Sequence, residues 1–168
     1  MLHYPKLKEL MKIRTGIGQD SHRFEEEKEK PCMIGGICFE GHKGLKGNSD
    51  ADVVLHALAN AISGITGVNI LGKIADELCK KGITDSTSYL KEGLTYLNGK
   101  EITHVSVSIE CKTPKISPRI MEMKTYIASL LNIDVSDIGV TATTGEGLTD
   151  FGKGLGIQAF VIVTTQEN

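Results

Sequence analysis

Apolar positions in this chain change period several times, and the changes predict an alternation of strands and helices. Residues 13–17 read as a strand that runs into Gly18-Gln19-Asp20-Ser21-His22, which places polar side chains at its end. Cys32-Met33-Ile34 and Ile37-Cys38-Phe39 flank Gly35-Gly36, a two-glycine connection that predicts a tight hairpin. Val54, Leu58, Ala61 and Ile65 then recur at helical spacing behind Asn48, Ser49 and Asp50, the expected caps, and this helix should stop near Gly64 or Gly67. A second helix is expected from Ser86 to about Leu97, capped by Asp85 or Ser86 and stopped by Asn98-Gly99. Val105, Val107 and Ile109 alternate with polar neighbours, as in a half-buried strand. Ser117-Pro118 opens another helix, with Ile120, Met123, Ile127 and Leu130 on one side. Residues 138–143 and 157–165 close the pattern as strands. The last is apolar on both faces, with Ile157, Ala159, Val161 and Val163 on one and Phe160 and Ile162 on the other, so it should be covered twice, by helices and by a neighbouring subunit.

This order favours an α/β fold of the two-layer sandwich type, a mixed β-sheet with helices on one face plus a small β-hairpin, over a doubly wound sheet. One domain over residues 13–168 is expected, preceded by an extension at residues 1–12; no internal repeat is apparent. The chain has 168 residues and is 40% hydrophobic, enough for a single core. Its 19 basic and 21 acidic residues leave no electrostatic footprint for nucleic acid or a membrane surface, so an anionic ligand has to be held by local chemistry. No segment is apolar for the length of a membrane span, and residues 1–12 lack a signal-peptide core, which predicts a cytoplasmic protein. Cys32, Cys38, Cys79 and Cys111 show no C-x-x-C spacing and are expected to be reduced, packing cysteines.

Candidate chemistry falls in three places. Asp20 and His22 are two apart, so on a strand both leave from one face, and His56 on the first helix could add a third ligand. Two imidazoles and a carboxylate with an open fourth position suit a catalytic metal ion, although histidines cap or pack more often than they bind metal. Asp52 lies four residues before His56, where its carboxylate could orient the imidazole or simply form an ordinary helical pair. Thr143-Thr144-Gly145-Glu146-Gly147 offers hydroxyls, amides beside glycines and one carboxylate, suited to a diphosphate with a hard cation; a polar turn has the same composition. Cys111-Lys112-Thr113-Pro114-Lys115-Ile116-Ser117 brings two amines to a strand-to-helix loop, which suits a phosphate or a cytosine edge but also an ordinary solvated loop. Gly152-Lys153-Gly154-Leu155-Gly156 matches neither a Walker loop nor a dinucleotide fingerprint.

Taken together, the chain resembles the 2-C-methyl-D-erythritol 2,4-cyclodiphosphate synthases from Ile13 onward. The resemblance lies in G-x-G-x-D-x-H-R-F at Gly16 to Phe24, the I-G-G hairpin, S-D-x-D-V-x-x-H-A at Ser49 to Ala57, P-K at Pro114, and A-T-T-x-E at Ala142 to Glu146. It implies a lyase of the methylerythritol phosphate route to isoprenoids that converts 4-diphosphocytidyl-2-C-methyl-D-erythritol 2-phosphate to the cyclodiphosphate and releases CMP. It further implies a homotrimer with active sites between subunits. Asp20, His22 and His56 would hold zinc or another divalent cation, and Glu146 magnesium or manganese. Asn48 and Thr144 would stabilise the transition state. Substrate would meet Asp20, His22, Asn48, Ser49, Ile70, Leu71 and Gly72, the loop Cys111, Lys112, Thr113, Pro114, Lys115, Ile116 and Ser117, the turn Thr143, Thr144, Gly145 and Glu146, and finally Phe151 and Lys153.

Some positions depart from the family pattern. Asn48 stands where the family has histidine, which keeps a hydrogen-bond donor but loses the charge. Asn69-Ile70-Leu71-Gly72 replaces G-D-I-G, Ile74 to Leu78 replaces F-P-x-x-D, and Lys153 replaces an arginine, with Leu155 for the acidic residue two further on. These departures motivate one alternative, a catalytically impaired zinc-binding trimer acting as a binding protein. The two-histidine, one-carboxylate set motivates another, a non-haem iron enzyme.

Overall fold

The computed structural model describes residues 11–27 and 29–167. Most of the extension expected at residues 1–12 lies outside the described residues; Lys12 already belongs to the first strand, paired with Glu167. That strand, β1 (Lys12–Arg23), is followed by the hairpin strands β2 (Met33–Ile34) and β3 (Ile37–Cys38), helix α1 (Val53–Thr66), helix α2 (Ala75–Lys80) and helix α3 (Ser86–Leu94). Strand β4 (Glu101–Glu110), helix α4 (Ile120–Leu131) and strands β5 (Ile138–Thr143) and β6 (Gly156–Glu167) complete the order. The sheet runs β1-β6-β4-β5, antiparallel except for the parallel β4–β5 pair. It is thus the mixed sheet with helices that the sequence pattern predicts.

Side-chain alternation decides which face of the sheet is covered. Ile157, Ala159, Val161 and Val163 of β6 and Val105, Val107 and Ile109 of β4 are buried with Leu55, Leu58 and Ile62 of α1 and Met123 and Ile127 of α4. Phe160 and Ile162 of β6, 43% and 41% exposed, lie on the opposite face with Ile17. The helices therefore supply one of the two covers expected for β6, and within a single chain the other face stays open. Glycine sets the depth of the helix layer at one edge. A Cβ at Gly16 would lie 2.1 Å from the Ala61 carbonyl oxygen, and one at Gly18 1.9 Å from that of Ala57. Only hydrogen at these positions lets β1 meet the small residues of α1 backbone to backbone.

The hairpin turns through Gly35 and Gly36 at φ 60° and 79°, both in the left-handed region that two-residue connections use. The cap of α1 differs from expectation: Asp52 fills it, accepting from the amides of Val54 and Leu55 at 3.1 and 3.0 Å. Asn48, Ser49 and Asp50 precede a sharp turn at Ala51 (φ 56°), in which Ser49 Oγ accepts from the Ala51 amide, so these residues are taken up before the helix begins. Helix α1 ends at Gly67 in the left-handed conformation. Helix α3 is capped by Asp85 and ends at Leu94; the expected stretch to Leu97 continues as a tighter turn until Asn98 turns left-handed. Ser117–Arg119 likewise forms a 3₁₀ turn, and α4 begins only at Ile120.

Candidate metal centre and phosphate loops

The burial alternation of β1 puts Asp20 and His22 on the same side as Gly16 and Gly18, toward α1. The backbone approach made at Gly18 carries that helix close enough for His56, in its first turns, to reach them. Asp20 Oδ2 lies 2.9 Å from His22 Nε2 and 3.0 Å from His56 Nδ1, and the two imidazole nitrogens are 3.4 Å apart. The three ligand atoms lie within 4.8 Å of one another, a donor set of one carboxylate oxygen and two imidazole nitrogens that fits a divalent ion with room for a fourth ligand. A cavity of about 290 Å³ opens beside it, lined among others by Asn48, Ser49, Leu71, Gly72 and Cys79.

Hydrogen bonds orient the ring of His22. Its Nδ1 lies 2.8 Å from the carbonyl oxygen of Lys46, which can only accept, so Nδ1 carries a hydrogen and Nε2 is turned to the cluster, where it donates to Asp20 when protonated and offers a lone pair to a cation when not. Burial alone would raise the Asp20 carboxyl, but hydrogen bonds from His22 and His56 outweigh it and hold that carboxyl well below the usual carboxylate range. Burial would lower His22, but its bond and charge interaction with Asp20 outweigh it and raise this imidazole. A cation at this point takes over from protons that the cluster otherwise holds.

Asp52 does not orient His56. Its carboxylate accepts from the amides of Gly35 and Gly36 at 2.8 and 2.6 Å in addition to the two helix amides, so it ties the hairpin to the start of α1. Side chains at helical spacing meet only if neither is engaged elsewhere, and a helix cap is engaged by its own backbone. The outer nitrogen of His56, Nε2, instead lies 2.9 Å from Ser86 Oγ and 3.3 Å from Ser49 Oγ. Neither Ser86 nor Asp50, to which it bonds, carries a sequence signal for this role: they are 36 residues apart and meet through the fold.

The other expected ligand residues divide by burial. Leu71 and Gly72 line the metal-side cavity, whereas Ile70 is fully buried and packs into the core, so its side chain faces no ligand. Cys111 and Ile116 are also buried, each 4% exposed, and in that loop it is Lys112, Thr113, Lys115 and Ser117 that reach solvent. The amide of Cys111 donates to the Thr143 carbonyl and that of Lys112 to the Phe151 carbonyl, which knits together the three segments expected to hold phosphate and cytidine. Within the turn, Glu146 has φ 50° and accepts from the Thr144 hydroxyl at 3.1 Å. Lys153 pairs loosely with Asp150. Gln158 of β6 faces Ser21 of β1 on one side and Glu110 of β4 on the other, and Glu110 in turn faces Thr143 of β5, so the metal-bearing strand and these loops share one end of the sheet, the Cys111 loop two strand spacings (about 10 Å) from β1 and the Thr143 turn three (about 15 Å). Of the four cysteines, only Cys32 and Cys111 are buried packing residues. Cys38 is exposed, and Cys79 borders the metal-side cavity against the Tyr89 hydroxyl.

The YgbB family model matches residues 13–166, nearly all of the chain. The chain belongs to the YgbB family. YgbB relatives named 2-C-methyl-D-erythritol 2,4-cyclodiphosphate synthase from Chlamydia caviae and Chlamydia trachomatis are each 50% identical to it over 157 residues, covering 92% of this chain and 89% and 88% of theirs. Among solved structures, the synthase of Plasmodium vivax matches with a TM-score of 0.79 at 26% identity, over 94% of this chain and 99% of its own. A synthase structure described as its CDP-bound form matches with a TM-score of 0.79 at 26% identity, over 90% and 99%. The bifunctional IspDF of Campylobacter jejuni matches with a TM-score of 0.85 at 29% identity, over 94% of this chain but 43% of that longer one.

Proposed function

We propose that the protein is the cyclodiphosphate synthase of the methylerythritol phosphate route, a lyase that converts 4-diphosphocytidyl-2-C-methyl-D-erythritol 2-phosphate to 2-C-methyl-D-erythritol 2,4-cyclodiphosphate and CMP. The observation that carries this is the Asp20, His22 and His56 cluster, placed beside an open cavity in a chain whose half-identical relatives bear that name. An oxygen of the 2-phosphate attacks the β-phosphorus, the bond from that phosphorus to the α,β-bridging oxygen breaks, and CMP departs with the bridging oxygen. No proton need be taken from a hydroxyl nucleophile, so the reaction depends on positioning and on neutralising charge.

A divalent cation held by Asp20, His22 and His56, zinc in our reading, supplies charge neutralisation and a fixed anchor for the phosphates. Asn48 and Ser49, on the rim of the same cavity, offer neutral donors to phosphate oxygens. In this reading the exposed Thr144 hydroxyl, released from Glu146, and the Gly147 amide would stabilise charge on the transferred phosphoryl group. Exposed Glu146 suits magnesium or manganese that keeps part of its water shell and shares diphosphate oxygens. In the same reading the cytidine half would meet the exposed side chains of Lys112, Thr113, Lys115, Ser117 and Lys153, together with Phe151. This chain presents the metal ligands on the helix side of the sheet, while Phe160, Ile162 and Ile17 form an open apolar face on the other. That arrangement supports a homotrimer in which one subunit's phosphate loops complete its neighbour's metal site, and we place the enzyme in the cytoplasm. Among the described residues, no helix is long and apolar enough to cross a membrane. The test is to strip the enzyme with chelator and follow CMP release: loss of activity that zinc with magnesium restores supports the reading, and full activity in the stripped enzyme contradicts it.

A further inference from the structure

The hydroxyl of Ser86, the first residue of α3, is completely buried and has two partners. One is a carboxylate oxygen of Asp50, Oδ1; the other is Nε2 of His56 at 2.9 Å. A carboxylate oxygen can only accept, so the single hydrogen of Ser86 goes to Asp50. The hydroxyl oxygen must then accept from His56, which places a hydrogen on Nε2, so that Nδ1 is the nitrogen that gives up its hydrogen to Asp20 and presents the lone pair when the neutral ring ligates a cation. That is the nitrogen facing Asp20 Oδ2 and His22 Nε2. Asp50 is itself locked, since Oδ2 accepts from the Ser86 amide at 3.1 Å, Oδ1 from the Asp52 amide at 3.2 Å, and its own amide donates to the Thr84 carbonyl. Ser49 Oγ, 3.3 Å from the same Nε2, is a longer second acceptor.

We propose that Asp50 and Ser86 form a relay of positioning residues that fixes the tautomer and ring orientation of His56 for metal binding. It does for His56 what the Lys46 carbonyl does for His22, and it couples the metal centre to the start of α3. Removing such a partner typically weakens metal affinity by about 10- to 100-fold. The inference rests on the metal-binding reading of Asp20, His22 and His56, and the experiment separates the two. Zinc dissociation constants are measured by competition with a chromophoric chelator for the wild type and for Ser86→Ala, Ser86→Thr, Asp50→Ala and the double alanine variant, with thermal unfolding of each stripped protein as the fold control. We expect Ser86→Ala to bind zinc about 10- to 100-fold more weakly. Ser86→Thr, which keeps the hydroxyl, should recover most of the affinity, and the double variant should lose no more than the worse single one, as members of one chain do. Zinc binding as tight in Ser86→Ala as in the wild type overturns the relay alone; a wild type that binds no zinc overturns the metal reading and the relay together. A measurement independent of variant folding is the imidazole proton spectrum of the zinc-loaded wild type. A His56 hydrogen on Nε2, protected from exchange, supports the relay, and a hydrogen on Nδ1 overturns it.

Discussion

Replacing Gly18 by alanine tests how the strand–helix approach builds the metal centre. The new Cβ would lie 1.9 Å from the Ala57 carbonyl oxygen and 2.4 Å from the Ala61 amide nitrogen. Both neighbours are backbone, so no side chain can swing aside, and β1 and α1 must separate by about 1.1 Å for the shorter contact to reach even 3.0 Å. Overpacking of this kind costs about 1–3 kcal/mol, and a backbone neighbour puts this site at the upper end of that range. The same movement pulls His56 away from Asp20 and His22, only two and four residues further along β1, and a displacement of about 1 Å at a reacting centre can cost about 10²-fold in rate. Gly64 on the same helix is the control. A Cβ there meets nothing closer than 3.8 Å, so Gly64→Ala should gain up to about 1 kcal/mol in helix propensity and leave the metal centre intact. Urea denaturation gives the stabilities and chelator competition the zinc affinities. If Gly18→Ala is as stable as the wild type and binds zinc as tightly, close approach at this glycine does not set the geometry of the centre.

Asp52→Ala leaves four amides without their acceptor, two of them in the first turn of α1, and should lose at least about 3 kcal/mol in urea denaturation; a loss below about 1 kcal/mol would contradict its role as tie between hairpin and helix. Burial pushes the Cys32 thiol up to about 12 and that of Cys111 up to about 11. Their thiolate fractions at about pH 8 are then roughly 10⁻⁴ and 10⁻³, so iodoacetamide followed by peptide mass spectrometry should find exposed Cys38 labelled long before either, and equal labelling rates would refute the burial argument. Because Asp20 raises His22, the imidazole must lose a proton before it ligates, and zinc affinity should rise with pH by up to about tenfold per unit until that raised value is passed. Without metal the sign reverses: the raised His22 contributes stability that is present below its ordinary value of 6.5 and lost as pH rises through the raised one. A zinc affinity that stays flat between about pH 6 and 8 would contradict this linkage.

Much of the fold is legible in local pattern because its strands and longer helices each present one apolar face to one core. The two faces of β6 were readable in the same way, since Phe160 and Ile162 alternate with the buried set. Helix α2 was not, because it is six residues long without a buried position, and it follows an irregular turn at Ile70–Ile74 broken by Leu71 and Gly72. Asp20, His22 and His56 could be named from a two-residue strand spacing and a helix, and the structure brings them together. Their supports could not be named. Asp52 looked like a partner because spacing records which side chains share a helix face, whereas a capping carboxylate is spent on its own backbone. Ser86 and the Lys46 carbonyl act on His56 and His22 across 30 and 24 residues of chain, contacts set by tertiary packing.

The most direct test of the central claim is phosphorus NMR of 4-diphosphocytidyl-2-C-methyl-D-erythritol 2-phosphate incubated with the enzyme, zinc and magnesium. The account predicts that the substrate resonances give way to CMP and to the two coupled phosphorus signals of the cyclic diphosphate in equal amounts, without inorganic phosphate, and that His56→Ala leaves the substrate unchanged. A wild-type enzyme that holds zinc but yields no CMP, or one that releases inorganic phosphate instead of the cyclic product, would contradict it.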